Sequence, residues 1–150
     1  MLANYEIVPN VGYGEVKFGL DIDKLAEIIG EPEEIISFDD EEELSIVVLH
    51  YWLKGFTVFM DGITRQVVAG IELDHPDSIL YGEKIMGKTE DEIISFMKVH
   101  GHSNYEIEME DADKRYSFDE GMMDMFFVDG KLEYMNFGVL VDEEGNIETV

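Results

Sequence analysis

Tyr13-Gly14-Glu15-Val16-Lys17-Phe18-Gly19 and Tyr81-Gly82-Glu83-Lys84-Ile85-Met86-Gly87 stand 68 positions apart, and the correspondence between them does not end with these heptads. The same offset pairs Asp23 with Asp91, Asp61-Gly62 with Asp129-Gly130, Gly70 with Gly138, and Asp74 with Asp142. Glycines and Asp-Gly pairs fix turns, so their coincidence at one offset makes the backbone turn in the same places in both halves. The sequence therefore reads as two copies of one unit, about residues 13–74 and 81–142, within a single domain spanning 1–150.

Each copy opens on a helix. Asp21 to Ile29 carries Ile22, Leu25, Ala26, Ile28 and Ile29 at mostly helical spacing, with Asp21 as N-cap and Gly30 as stop before Pro32. In the second copy Thr89 and Glu92 form a capping box ahead of Ile93, Ile94, Phe96 and Met97, and the helix ends near Gly101.

Runs of β-branched and aromatic residues then alternate with turn residues. The first copy is expected to form strands at Glu34 to Phe38, Leu44 to Leu53, Phe56 to Met60 and Thr64 to Leu73. The second is expected to form them at Tyr105 to Met109, Arg115 to Phe118, Met122 to Val128 and Leu132 to Val141. Asp61-Gly62 and Asp129-Gly130 each join two apolar runs, the strongest short hairpin signal. The predicted fold is α+β: a tandem duplication of a helix plus about four antiparallel strands, forming one two-layer domain. One unit alone buries little apolar surface, and the short linker Asp74-His75-Pro76-Asp77-Ser78 suits docked halves better than a tether.

The stretch from Gly14 through Gly30-Glu31-Pro32 resembles the opening of BamE/SmpA-like and β-lactamase-inhibitor-protein-like units, in which small residues, a helix and Gly-x-Pro precede the strands. The inhibitor family is itself a tandem repeat of a helical segment and an antiparallel sheet. The resemblance implies a fold whose members bind other proteins with the exposed face of the sheet, and it implies no catalytic residues.

Composition narrows the function. The formal charge is −25, from 35 acids against 10 bases, a sign that disfavours a nucleic-acid backbone or an anionic membrane and points to a basic or cationic protein partner. The chain has no cysteine, which excludes disulfides, thiolate metal sites and thiol nucleophiles. Met1 to Glu6 lacks a basic segment followed by an apolar one, so the expected location is cytoplasmic, as a monomer or homodimer.

His100 and His102 are the candidate metal ligands, with Glu90, Asp91, Glu106 and Glu108 as nearby carboxylates; the alternative is a solvated helix end. Their spacing occurs in some metal sites, but no acid-and-His constellation at fixed spacing joins them, and no metal or other cofactor is expected. No serine sits in a Gly-x-Ser-x-Gly elbow and no glycine loop carries the lysine of a phosphate cradle. Acids cluster from Glu31 to Glu43 and again from Glu106 to Asp113, either as solvated turns or as a field that steers a cationic partner.

The strand faces are more informative. Val67, Ala69 and Ile71, with Met135, Phe137 and Val139, are expected to face the helices, leaving Gln66, Val68, Tyr134 and Asn136 opposite. In the second strand Val47, Leu49, Tyr51 and Leu53 oppose Ile46, Val48, His50 and Trp52, so both faces are largely apolar. Trp52 reads equally as core or as recognition surface; Met122, Met123 and Met125 read as core. The expected partner-binding set is Tyr51, Trp52, Gln66, Tyr116, Tyr134 and Asn136, with the acidic turn Asp39, Asp40, Glu41, Glu42 and Glu43. Three functions fit: a protein-binding module of inhibitor or immunity type, a small-ligand or metal-binding protein or enzyme using His100 and His102, and a structural homodimer.

Overall fold

A computed structural model describes residues 4–39, 45–62, 65–110, 113–119 and 122–148. Three short strands, β1 (Glu6–Val8), β2 (Gly12–Tyr13) and β3 (Val16–Lys17), lead into α1 (Ile22–Ile29). A meander follows: β4 (Glu34–Asp39), β5 (Ser45–Tyr51), β6 (Phe56–Asp61) and β7 (Val67–Leu73). The second half runs β8 (Ile79–Leu80), β9 (Glu83–Lys84), α2 (Glu90–Val99), β10 (Tyr105–Glu110), β11 (Asp113–Phe118), β12 (Met123–Val128) and β13 (Lys131–Gly138), with two short strands before its helix where the first half has three. Among the described residues, two α-helices with thirteen strands in two sheets make a mixed α and β fold.

Local chemistry places the helices as expected. The Asp21 carboxylate accepts the Lys24 N–H at 2.9 Å, and Thr89 and Glu92 close a reciprocal capping box. Leu25 and Ile29 from α1, and Ile93, Phe96 and Met97 from α2, enter one buried apolar cluster that draws on both halves.

The eight-stranded sheet runs β10-β11-β12-β13-β7-β6-β5-β4, so the two meanders join through their last strands. At the seam β13 and β7 are antiparallel, and Gly138 stands opposite Gly70. The small sheet, β3-β2-β1-β8-β9, also spans both halves through the parallel pair β1 and β8. The linker is anchored at two points: Ser78 is fully buried and its hydroxyl hydrogen-bonds the Tyr13 hydroxyl at 2.8 Å, while the Tyr5 ring stacks on His75; Asp74, Pro76 and Asp77 are exposed.

Three expectations need correction. The strand expected at Leu44 to Leu53 stops at Tyr51, because Trp52–Lys54 forms a 3-10 turn that ends on Gly55 in the left-handed conformation. Leu53 is consequently 90% exposed rather than sharing a face with Leu49. The faces assigned to β7 are also inverted at its start: a bulge between Phe59 and Met60 puts Val68 opposite Met60 in the core, with Ala69 as the extra residue. Finally, Asp129-Gly130 makes the expected two-residue hairpin, with positive φ at both residues. Asp61-Gly62 does not; β6 already includes Asp61, and β7 begins only at Val67.

Candidate functional site

Alternation along the strands separates the two faces of the large sheet. Leu49, Tyr51, Val58, Ile71, Leu73, Met125, Met135 and Phe137 point into the cluster that includes the helices. The opposite positions line up across all eight strands as one polar row. In register it reads Glu34, His50, Thr57, Glu72, Asn136, Asp124, Ser117 and Glu106. The end members are exposed and the central ones half-buried, except Thr57, which is buried.

Within the row neighbours bind one another. His50 Nδ1 and Thr57 Oγ1 are 3.0 Å apart, and the Ser117 hydroxyl donates to Asp124. Glu72, at the centre, has its carboxyl pushed above the usual range by burial and then by Asp74, against a smaller opposing effect of His50.

Aromatic rings flank the row. Trp52 is 57% exposed and stacks on His50, with ring centroids 4.6 Å apart. Tyr134 stacks on Phe126 at 4.5 Å and donates its hydroxyl to Asp113 at 2.8 Å. Between these groups a groove of about 800 Å³ is lined by His50, Trp52, Glu72, Asp74, Lys131 and Tyr134, among others. Large amphipathic rings beside half-buried polar groups are the composition of binding surfaces.

Of the expected partner-binding residues, Trp52, Tyr134 and Asn136 lie on this face. Gln66 is half-buried just before β7 and outside the row. Tyr51 and Tyr116 are corrected to core residues, 1% and 3% exposed, because both fall on the helix side of their strands. Their hydroxyls donate to the Gly30 carbonyl, at 3.0 Å, and the Glu90 carboxylate, at 2.7 Å. Burial and the carboxylates of Glu31 and Glu33 push the Tyr51 phenol up to about 12. Asp39 ends β4; Asp40, Glu41, Glu42 and Glu43 lie outside the described residues. His50, Glu72 and Asp124 were not among the expected site residues, since only the strand register brings them together.

His100 and His102 occupy a second location, with a different neighbour set from the one expected. His102 Nδ1 lies 2.9 Å from Asp119 Oδ1, and its Nε2 lies 2.6 Å from the Tyr81 hydroxyl. The carboxylate holds the proton on Nδ1, which leaves Nε2 to accept from Tyr81. The Tyr81 ring in turn stacks on His100 at 4.3 Å. Tyr81 and Asp119 both have positive φ, and Tyr81-Gly82 is the two-residue turn of the β8–β9 hairpin. Glu90 and Glu108 are engaged elsewhere, by Lys114 and Arg115. Among the described residues no group of three His, Asp or Glu is arranged to hold a metal ion, and no helix is long and apolar enough to cross a membrane.

No family model matches the chain, and no curated protein does. Among solved structures it is similar to YjgB, a DUF4309 family protein from Bacillus subtilis, with a TM-score of 0.50 and 12% identity over 86% of this chain and 87% of that one. It also aligns with an extracellular protein containing a SCP domain from Bacillus anthracis, with a TM-score of 0.43 and 16% identity, over 79% of this chain and 42% of that one. At this identity the likeness to YjgB is one of fold.

Proposed function

We propose that the chain is a non-enzymatic protein-binding module that docks a basic partner on the face of the eight-stranded sheet opposite the helices. The observation that carries this reading is the polar row through His50, Glu72 and Asn136, flanked by the exposed Trp52 and by Tyr134. The apolar sides of α1 and α2 are spent on the other face. The charge of −25 favours a basic partner and speeds its approach. We also propose that the two halves descend from one duplicated unit and that the protein acts in the cytoplasm. A helix followed by four antiparallel strands in each half, and the opposition of Gly70 and Gly138, equivalent positions of the two copies, support the duplication.

Trp52 is the sole tryptophan, so its emission reports directly on this face. Titrating in basic proteins encoded beside the gene should shift that emission to the blue with one of them, and Trp52→Ala should weaken the same complex in a label-free measurement. A complex that forms with Trp52 emission unchanged and tolerates Trp52→Ala would place the partner elsewhere.

The hydrogen-bonded chain Asp119–His102–Tyr81 favours a second reading, a small-ligand or acid–base site at the second half's hairpin. It requires that a ligand raise the melting temperature of the native chain and not of His102→Ala.

A further inference from the structure

We propose that β10 is a docking edge for an extended, cationic segment of another protein, which joins the eight-stranded sheet as an additional strand. β10 ends the sheet, and among the described residues it pairs only with β11. One side of its backbone therefore presents unpaired N–H and C=O groups, the template for strand addition.

Natural edges are commonly blunted by a bulge, a proline or a lysine. β10 has none of these three; the glutamates of its sequence, Tyr-Glu-Ile-Glu-Met-Glu, guard it against acidic strands but not against a cationic one, and its pairing with β11 runs through six register pairs without a shift. Its side chains alternate sharply. Tyr105, Ile107 and Met109 lie on the helix side yet are 37%, 47% and 68% exposed, forming an apolar stripe that α2 leaves uncovered. Glu106 and Glu108 are exposed on the opposite side.

This pattern selects its occupant. A second copy pairing β10 against β10 would bring glutamates face to face, between chains that each carry −25. The other edge, β4, is no better suited, since it also begins and ends in acids, Glu34 and Asp39. A strand that alternates lysine or arginine with aliphatic residues satisfies both sides at once: its cations meet Glu106 and the exposed side of Glu108, whose carboxylate is shared with Arg115, and its apolar side chains extend the stripe of Tyr105, Ile107 and Met109. Backbone hydrogen bonds then supply affinity and the alternation supplies specificity.

The probe is a blocked peptide of alternating lysine and valine, as long as the six residues of β10. Two further versions carry N-methyl groups on one or the other alternate set of amides, which leaves charge and side chains in place. With the full chain, amide exchange followed residue by residue should slow roughly tenfold at the outward N–H groups of β10 when the parent peptide is added. One N-methylated version should lose binding while the other keeps it, and Glu106→Lys should weaken the parent peptide roughly tenfold. Three results would overturn the proposal: no binding, binding with β10 exchange unchanged, or equal binding of all three peptides. Trp52 emission distinguishes the sites, because a peptide held on the open sheet face shifts it and one held at β10 does not.

Discussion

Gly70 and Gly138 stand opposite each other where β7 meets β13, yet their surroundings differ. A Cβ on Gly138 would fall 2.6 Å from the Ala69 carbonyl oxygen, a backbone atom that cannot step aside. A Cβ on Gly70 would meet Phe59 Cβ at 3.5 Å, an ordinary contact. Gly138→Ala is therefore expected to cost about 1–3 kcal/mol and Gly70→Ala less than about 1 kcal/mol in urea unfolding. Equal losses would mean that the seam relaxes around either methyl group.

Four tyrosines make the fold sensitive to alkali. Burial, as the largest effect, raises the phenols of Tyr13, Tyr51, Tyr81 and Tyr116 above their ordinary value of 10.0, Tyr51 to about 12. A group whose folded pKa is raised binds its proton more tightly when native, so its contribution is fully present below the unfolded pKa and is lost as pH rises through the folded one. Stability should accordingly fall as pH climbs from 10 toward 12, and Tyr51→Phe should lessen that slope. The same variant gives up the hydrogen bond to Gly30 O, about 1 kcal/mol at neutral pH. Denaturant midpoints that stay flat from pH 9 to 12 would refute the assignment.

Glu72 carries the opposite consequence for neutral pH. Its pKa is raised above the ordinary 4.5 by burial and by Asp74, so the native state holds the carboxyl proton more tightly, and the stability this supplies is full below 4.5 and is lost as pH rises through the folded value. At pH 7 the ionised group is a burden, and Glu72→Gln should raise Tm. The advantage should vanish once the pH is brought below 4.5. A variant less stable than the parent at pH 7 would show that the charged carboxylate has a stabilising partner, with His50 the first to test.

Much of this architecture is legible in the sequence because it is local. Caps at Asp21 and Thr89 and the turn at Asp129-Gly130 each depend on neighbours a few positions away, and together with turn residues that recur at a 68-residue offset they place both helices and eight main strands within a few residues. What escapes is what register decides. The bulge beside Met60 turns Val68 inward, and nothing in Gln66-Val67-Val68 announces it. Tyr13 and Tyr81 stand 68 positions apart in matching sequence, but Tyr13 lies in strand β2 and is fully buried, whereas Tyr81 falls in the turn after β8 and is 38% exposed. A shift of one residue in a hairpin moves every side chain to the other face, so the meeting of Tyr81 with His102 and Asp119 could not be read from spacing. The row through Glu72 is likewise invisible until eight strands are aligned.

Trp52 offers the sharpest separation of stability from binding. The 3-10 turn holds it 57% exposed, stacked on His50, with Leu53 beside it 90% exposed. A side chain that gains so little from folding can be removed at small cost, so Trp52→Ala should change unfolding free energy by no more than about 0.5–1 kcal/mol. Docking is different, because an aromatic ring at the rim of a groove contributes most when a partner completes its desolvation, and loss of such an anchor typically costs about 2 kcal/mol or more. His50→Ala removes the ring beneath and should weaken docking less, through loss of orientation alone. Calorimetric titration of parent, Trp52→Ala and His50→Ala against the same partner orders the three. Should Trp52→Ala unfold the domain, or bind as well as the parent, the exposed tryptophan is a structural residue and the docking face must be sought elsewhere on the molecule.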